Sequence, residues 1–227
     1  MRNDICTIPV SEAFETNDGC PICRMRKTVE ERIIEYIMGA AMMEPDVRIE
    51  TNRLGFCGRH LERMSGRRGK LQLALMLESH TNELYDSIFK RGLTSDLKKA
   101  TIAEKMLGSC FVCEKIEWGF SRMLDTIYRT YEQDRDFRQM FNSQEIFCLE
   151  HYKLLTNNYS KRNMKRYGGE FLTVVKEKTG NYLLNLNADL KKYCSMYDYR
   201  NSNETDWGNS KDSVERTIAF ITGELAE

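Results

Sequence analysis

Cys20-Pro-Ile-Cys23, Cys57-Gly-Arg-His60, Cys110-Phe-Val-Cys113 and Cys148-Leu-Glu-His151 are the four stretches that decide how this chain is read. They state one pattern twice, CxxC then CxxH, with 33 residues between the half-motifs in the first copy and 34 in the second. Six of the eight cysteines and two of the three histidines occupy these positions. Three thiolates and one imidazole complete a tetrahedron around zinc, so the spacing predicts two zinc ions in Cys3His sites. The simplest assignment keeps each set within its copy: Cys20, Cys23, Cys57 and His60 on one ion, Cys110, Cys113, Cys148 and His151 on the other. Spacing alone leaves pairing across the copies open.

Outside the ligands the two copies still match, which points to a duplicated structural unit. At an offset of 90, Ile33, Ile34, Ile37 and Met38 fall on Met123, Leu124, Ile127 and Tyr128, and Asp46 and Arg48 fall on Asp136 and Arg138. At 91, Phe56, Leu61 and Met64 meet Phe147, Tyr152 and Leu155. Val29, Ile33, Ile37 and Ala40 recur at helical intervals, as do Phe120, Met123, Ile127 and Tyr131. Each spacer therefore begins as an amphipathic helix of roughly 15 to 20 residues, which carries the chain about 25 to 30 Å. On the within-copy assignment the rest of the spacer must return, and Pro45 and the Asp134–Asp136 region are the turning points. In CxxH the two ligands are three apart and share a helix face, so one turn presents both.

The expected fold is all-α: two pseudo-repeated helical hairpins, each clamped by a Cys3His site, plus a C-terminal helix. The expected layout is an extended N-terminal segment (1–19), a first CxxC…CxxH unit (20–108), a second (109–199), and a polar linker with a terminal amphipathic helix (200–227). Val214, Ile218, Ile221 and Leu225 form an apolar stripe on that last helix, which docks on the body or holds a protein partner.

Composition narrows the class. Hydrophobic residues make up 41% of 227, charged residues 30%, and there are three prolines, a profile of folded, helix-rich protein. With 34 basic and 34 acidic side chains the formal charge is zero, so no global field draws the chain to nucleic acid or an anionic membrane. No window approaches the roughly 18 uninterrupted apolar residues of a membrane span, and Met1–Gly19 lacks the apolar core of a signal peptide. The expectation is a cytoplasmic protein, in which paired cysteines serve as metal or redox groups rather than structural disulfides.

The CPxC, FCxxH and second CxxC…FCxxH elements resemble an uncharacterised family of bacterial proteins with the same paired Cys/His layout. The likeness runs roughly from Cys20 to Leu190 and is most specific at the ligand motifs. It implies a helical metal-binding protein and supplies no activity, substrate or partner.

Four protein ligands leave no open position for substrate, so structural zinc in a binding or regulatory module is the preferred function. A thiol redox sensor that releases zinc on oxidation is the alternative, and an iron–sulfur cluster is a further one. Catalysis lacks a motif: neither HExxH nor HxE…PCxxC is present. Glu62 and Glu150 do not match under the repeat offset and read as solvated helix residues, and no catalytic residue is assigned. His80, on the Leu73/Leu77/Leu84 face, reads as a packed histidine satisfied by a neighbour, and Cys6 and Cys194 read as ordinary thiols. Lys161, Arg162, Lys165 and Arg166, flanked by Tyr159 and Tyr167, are the candidates for nucleic-acid contact, with Arg67, Arg68 and Lys70 in a corresponding place. The bland alternative for both groups is a solvated helix face.

Overall fold

Helix starts organise this chain, because every cysteine motif sits at one. The computed structural model describes residues 6–90, 95–159, 164–198, 200 and 205–223, and among these are eleven α-helices and no strand. They are α1 (Thr7–Glu15), α2 (Pro21–Met38), α3 (Pro45–Leu54), α4 (Gly58–Ser65), α5 (Lys70–Tyr85), α6 (Asp96–Leu107), α7 (Phe111–Gln133), α8 (Arg135–Ser143), α9 (Leu149–Asn158), α10 (Gly168–Met196) and α11 (Ser213–Thr222). The predicted turning points are where the helices break. Pro45 opens α3, where its missing N–H leaves no bond unmade. Asp134 caps α8, its carboxylate accepting from the backbone N–H groups of Asp136 and Phe137.

Two compact units result: Met1–Lys27 with Ser121–Glu227, and Thr28–Phe120. The boundaries fall inside α2 and α7, so the units cut across the sequence copies 20–108 and 109–199.

In the Thr28–Phe120 unit, Ile34, Ile37, Leu54, Met64, Leu73, Met76 and Ile116 form the buried core. The end of α3 is held tightly. Gly55 adopts φ +59°, and its carbonyl accepts the Phe111 N–H at 3.0 Å, while the Ser109 hydroxyl donates to the Leu54 carbonyl at 2.8 Å. His80 braces the same turn through Nδ1, 2.8 Å from the Asn52 carbonyl, as a packed histidine satisfied by its neighbour. A Cβ on Gly55 would lie 2.6 Å from the His80 ring, so both backbone and space demand glycine there.

In the other unit the core is aromatic. The Phe141 ring lies 4.8 to 5.4 Å from those of Phe14, Tyr131, Phe147 and Phe171, all buried. Phe14 comes from the N-terminal segment that reads as extended in the sequence; residues 7–15 are instead helical, because Val10, Ala13 and Phe14 recur at helical spacing and bury one face. On the terminal helix the apolar stripe is not the buried face. α11 buries Ser213 and Phe220, the latter against Tyr182, and leaves Val214, Ile218 and Ile221 exposed; Leu225 lies outside the described residues. Arg216 fixes this rotation by pairing with Asp189 of α10 at 2.9 Å. Among the described residues no helix is long and apolar enough to cross a membrane.

Candidate metal centres

Each half-motif spans the cap and first turn of a helix. Cys57 and Cys148 are the N-cap residues of α4 and α9, which places His60 and His151 in the first turn. Cys20 and Cys110 immediately precede α2 and α7, accepting the N–H groups of Arg24 and Glu114 through their carbonyls, and Cys23 and Cys113 follow within the first turn. Each motif thus lies at the end of a helix where N–H groups are not used within the helix and the dipole is positive, a setting that favours negative charge.

The ligands do not close within a copy. Cys20 and Cys23 meet Cys148 and His151, and Cys57 and His60 meet Cys110 and Cys113; within each set the ligand atoms all lie within 4.8 Å of one another. The within-copy assignment is therefore corrected: each set joins the CxxC of one copy to the CxxH of the other. The helices after CxxC run 18 and 23 residues, about 27 and 35 Å. The helices that follow, α3 and α8, have 10 and 9 residues, about 15 and 14 Å.

In the first cluster, His151 Nδ1 lies 3.0 Å from Cys148 Sγ, 3.2 Å from Cys23 Sγ and 3.5 Å from Cys20 Sγ, and the Cys23 and Cys148 sulfurs are 3.6 Å apart. All four residues are buried. In the second, His60 Nδ1 lies 3.1, 3.3 and 3.5 Å from the sulfurs of Cys57, Cys110 and Cys113, and Cys57 and Cys113 are 4.0 Å apart. Here Cys57 and Cys113 are only half-buried. None of the eight cysteines is in a disulfide.

The acid–base character of the thiols fits a cation site. Burial opposes ionisation of Cys110, but hydrogen bonds from the His60 ring and the backbone of Cys113 and Cys57 bring it down to about 6. Burial and the charge of Cys110 push Cys113 up to about 12. Cys20 behaves like Cys110: burial opposes its charge, yet hydrogen bonds with Cys148, Cys23 and His151 hold it well below the ordinary thiol value. Cys23 is pushed up by its hydrogen bonds with Cys148 and Cys20, and Cys148, through its bond to Cys20, to about 12. Without a cation, each cluster favours ionising one thiol at the expense of its neighbours. A divalent ion among the sulfurs removes that repulsion and lets all three ligate as thiolates.

A buried carboxylate supports the second cluster. Glu30 Oε1 is 2.8 Å from His60 Nε2, on the side of the ring away from the sulfurs, and 3.3 Å from Arg59, while Glu30 Oε2 accepts from Arg63 at 2.7 Å. Burial works against the Glu30 charge, but His60, Arg63 and Arg59 hold the carboxyl below its usual range. At the first cluster the chain's C-terminal part comes in: the Cys23 thiol donates to the Gly223 carbonyl at 3.2 Å, and Gly223 ends α11 at φ +71°. The sequence reading missed both residues. The signals were a glutamate inside the buried Glu30/Ile34/Ile37 stripe and a glycine one residue past a helical pattern.

The model of a family of unknown function, DUF6062, matches residues 1–227. The chain belongs to this family. No curated protein and no solved structure gave a match. Membership in DUF6062 brings no activity with it, so the chemistry of this member is read from its two clusters.

The basic candidates of this DUF6062 chain lie partly within the described residues. Lys161 and Arg162 lie outside the described residues. Lys165 and Arg166 are exposed, with the Arg166 N–H bonded to Glu132 at 2.7 Å. Arg138 covers the Tyr167 ring at 3.7 Å, and Tyr159 is half-buried against Gly168. Arg67 faces Glu35 at 3.6 Å, and Lys70 donates to the Ser65 carbonyl.

Proposed function

We propose that this chain is a structural zinc protein, with two ions holding a helical binding or regulatory module in shape. The observation behind this reading is the pair of Cys3His clusters. Zinc–sulfur and zinc–nitrogen bonds of about 2.3 and 2.05 Å at tetrahedral angles require sulfur–sulfur edges of about 3.8 Å and sulfur–nitrogen edges of about 3.6 Å. The sulfur–sulfur separations of 3.6 and 4.0 Å bracket the first value, and nitrogen–sulfur separations of 3.0 to 3.5 Å are slightly inside the second. Cys20, Cys23, Cys148 and His151 would hold one ion, Cys57, His60, Cys110 and Cys113 the other, each through Nδ1 of its histidine. With all four positions filled by protein, zinc there supplies cross-linking and charge neutralisation, and no catalytic residue is assigned.

The half-buried Cys57 and Cys113 favour a second reading, in which oxidation of the second cluster releases its ion. Nucleic-acid contact stays a proposal resting on the exposed Lys165 and Arg166.

Elemental analysis of protein purified without chelator, followed by unfolding with and without a strong chelator, tests the main reading. Two zinc ions per chain and a large loss of stability on chelation are expected. Less than one ion per chain, or unchanged unfolding after complete removal, refutes it.

A further inference from the structure

The end of α11 lies on the first cluster. Its C-cap Gly223 turns at φ +71°, and the Gly223 carbonyl is 3.2 Å from Cys23 Sγ, 200 residues away in sequence. A Cβ at Gly223 would lie 3.6 Å from Cys148 Sγ and 3.1 Å from the Glu150 Cβ, so two of the three sulfurs sit directly under this turn. The helix that carries the turn is lightly held. It packs on α9 and α10, yet among its residues only Ser213 and Phe220 are buried. The Phe220 ring is 5.7 Å from that of Tyr182, and Arg216 is 2.9 Å from Asp189. Val214, Ile218 and Ile221 face outward, 38%, 57% and 56% exposed. A short helix with one large buried anchor opens at lower free energy than the body it rests on.

Resting on the metal reading above, we propose that α11 is a lid on the Cys20/Cys23/Cys148/His151 site, and that its undocking controls how fast metal enters and leaves there. Four protein ligands fill the coordination of a zinc ion, so a competing ligand must first reach an edge of the tetrahedron. All four ligand residues are buried, so that approach waits on an opening of the protein. Lifting the end of α11 uncovers two of the sulfurs without breaking the starts of α2 and α9, which present the ligands. The helix therefore acts on the rate of exchange and leaves the ligand set unchanged.

The test follows zinc release from the loaded full-length protein into excess pyridylazo chelator, with pulsed alkylation and mass spectrometry reporting which cysteines have lost their ion. In the unmodified chain, release at Cys20, Cys23 and Cys148 should stop rising as chelator concentration increases, because opening of α11 then limits it. Phe220→Ala removes the buried anchor and should raise this limiting rate at least about 10-fold. Gly223→Val keeps that anchor and drives the turn off Cys148 and Glu150, so it should accelerate release too, and it decides the case in which Phe220→Ala does not fold. Release at Cys57, Cys110 and Cys113, all in the Thr28–Phe120 unit, should keep its rate. Ile218→Ser, on the outward face of the same helix, should leave both sites as they were. The inference fails if release at the first cluster rises with chelator without limit, or if Gly223→Val or a folded Phe220→Ala releases at the unmodified rate. It also fails if both sites accelerate together in Gly223→Val, or if Ile218→Ser reproduces the effect, since those results describe general loosening. An unmodified chain that binds no metal would instead overturn the metal reading.

Discussion

Two double variants separate the crossed pairing of ligands from the within-copy pairing. Cys20→Ser with Cys148→Ser removes two ligands of one cluster and leaves the other whole; Cys20→Ser with Cys57→Ser damages both. The first should retain one zinc ion per chain and the second none. The stability difference can be worked from the spans bridged. An ion joining Cys23 to Cys148 links residues 125 apart, and one joining His60 to Cys110 links residues 50 apart. Treated as cross-links on the unfolded chain, these are worth about 5 and about 4 kcal/mol. The Cys20/Cys148 variant should then lose about 5 kcal/mol, close to the Cys148→Ser loss, because both changes disable one site. The Cys20/Cys57 variant should lose about 9 kcal/mol, enough to unfold a domain of ordinary stability of about 5–15 kcal/mol. Metal content by atomic emission and unfolding by far-UV circular dichroism read both quantities. Within-copy pairing predicts the reverse: one ion kept in Cys20/Cys57 and none in Cys20/Cys148. That result would refute the crossed arrangement.

Phe141→Ala should destabilise the protein by about 3–5 kcal/mol, measured by denaturant unfolding, since its ring packs against five others and leaves a cavity that helices cannot close. Gly223→Val should cost about 1–3 kcal/mol, because a β-branched residue at φ +71° is strained and its Cβ would sit 3.1 Å from that of Glu150; an unchanged melting temperature would show that α11 does not depend on this turn. Cys194→Ser, at an exposed thiol, should stay within about 0.5 kcal/mol of the parent, and Cys57→Ser should lose far more. In alkylation followed by mass spectrometry, Cys194 should label first and Cys57 and Cys113 before Cys20, Cys23 and Cys148; simultaneous labelling of all six would argue against the difference in burial between the clusters.

What the amino-acid sequence determined here is local chemistry. Cysteine and histidine at CxxC and CxxH spacing identify the eight residues that gather into clusters, because a single helical turn places residues three apart on one side. Apolar residues at helical intervals mark α2 and α7, and Pro45 and Asp134 mark where the next helices start, because φ restriction and side-chain capping act within a few residues. Tertiary structure decided everything that depends on which surfaces meet. Both CxxH motifs were legible, yet which CxxC each one closes on depends on which helix starts come together in the folded chain, which periodicity does not record. The rotation of α11 was decided by Phe220 on Tyr182 and Arg216 on Asp189, against the apolar stripe that its own sequence presents. Glu30 is the sharpest case: in sequence it is one acidic residue on a charged helix, and only the approach of α4 sets His60, Arg63 and Arg59 around it. Burying its charge is tolerable because those three groups arrive from elsewhere in the chain, a condition that no local pattern can state.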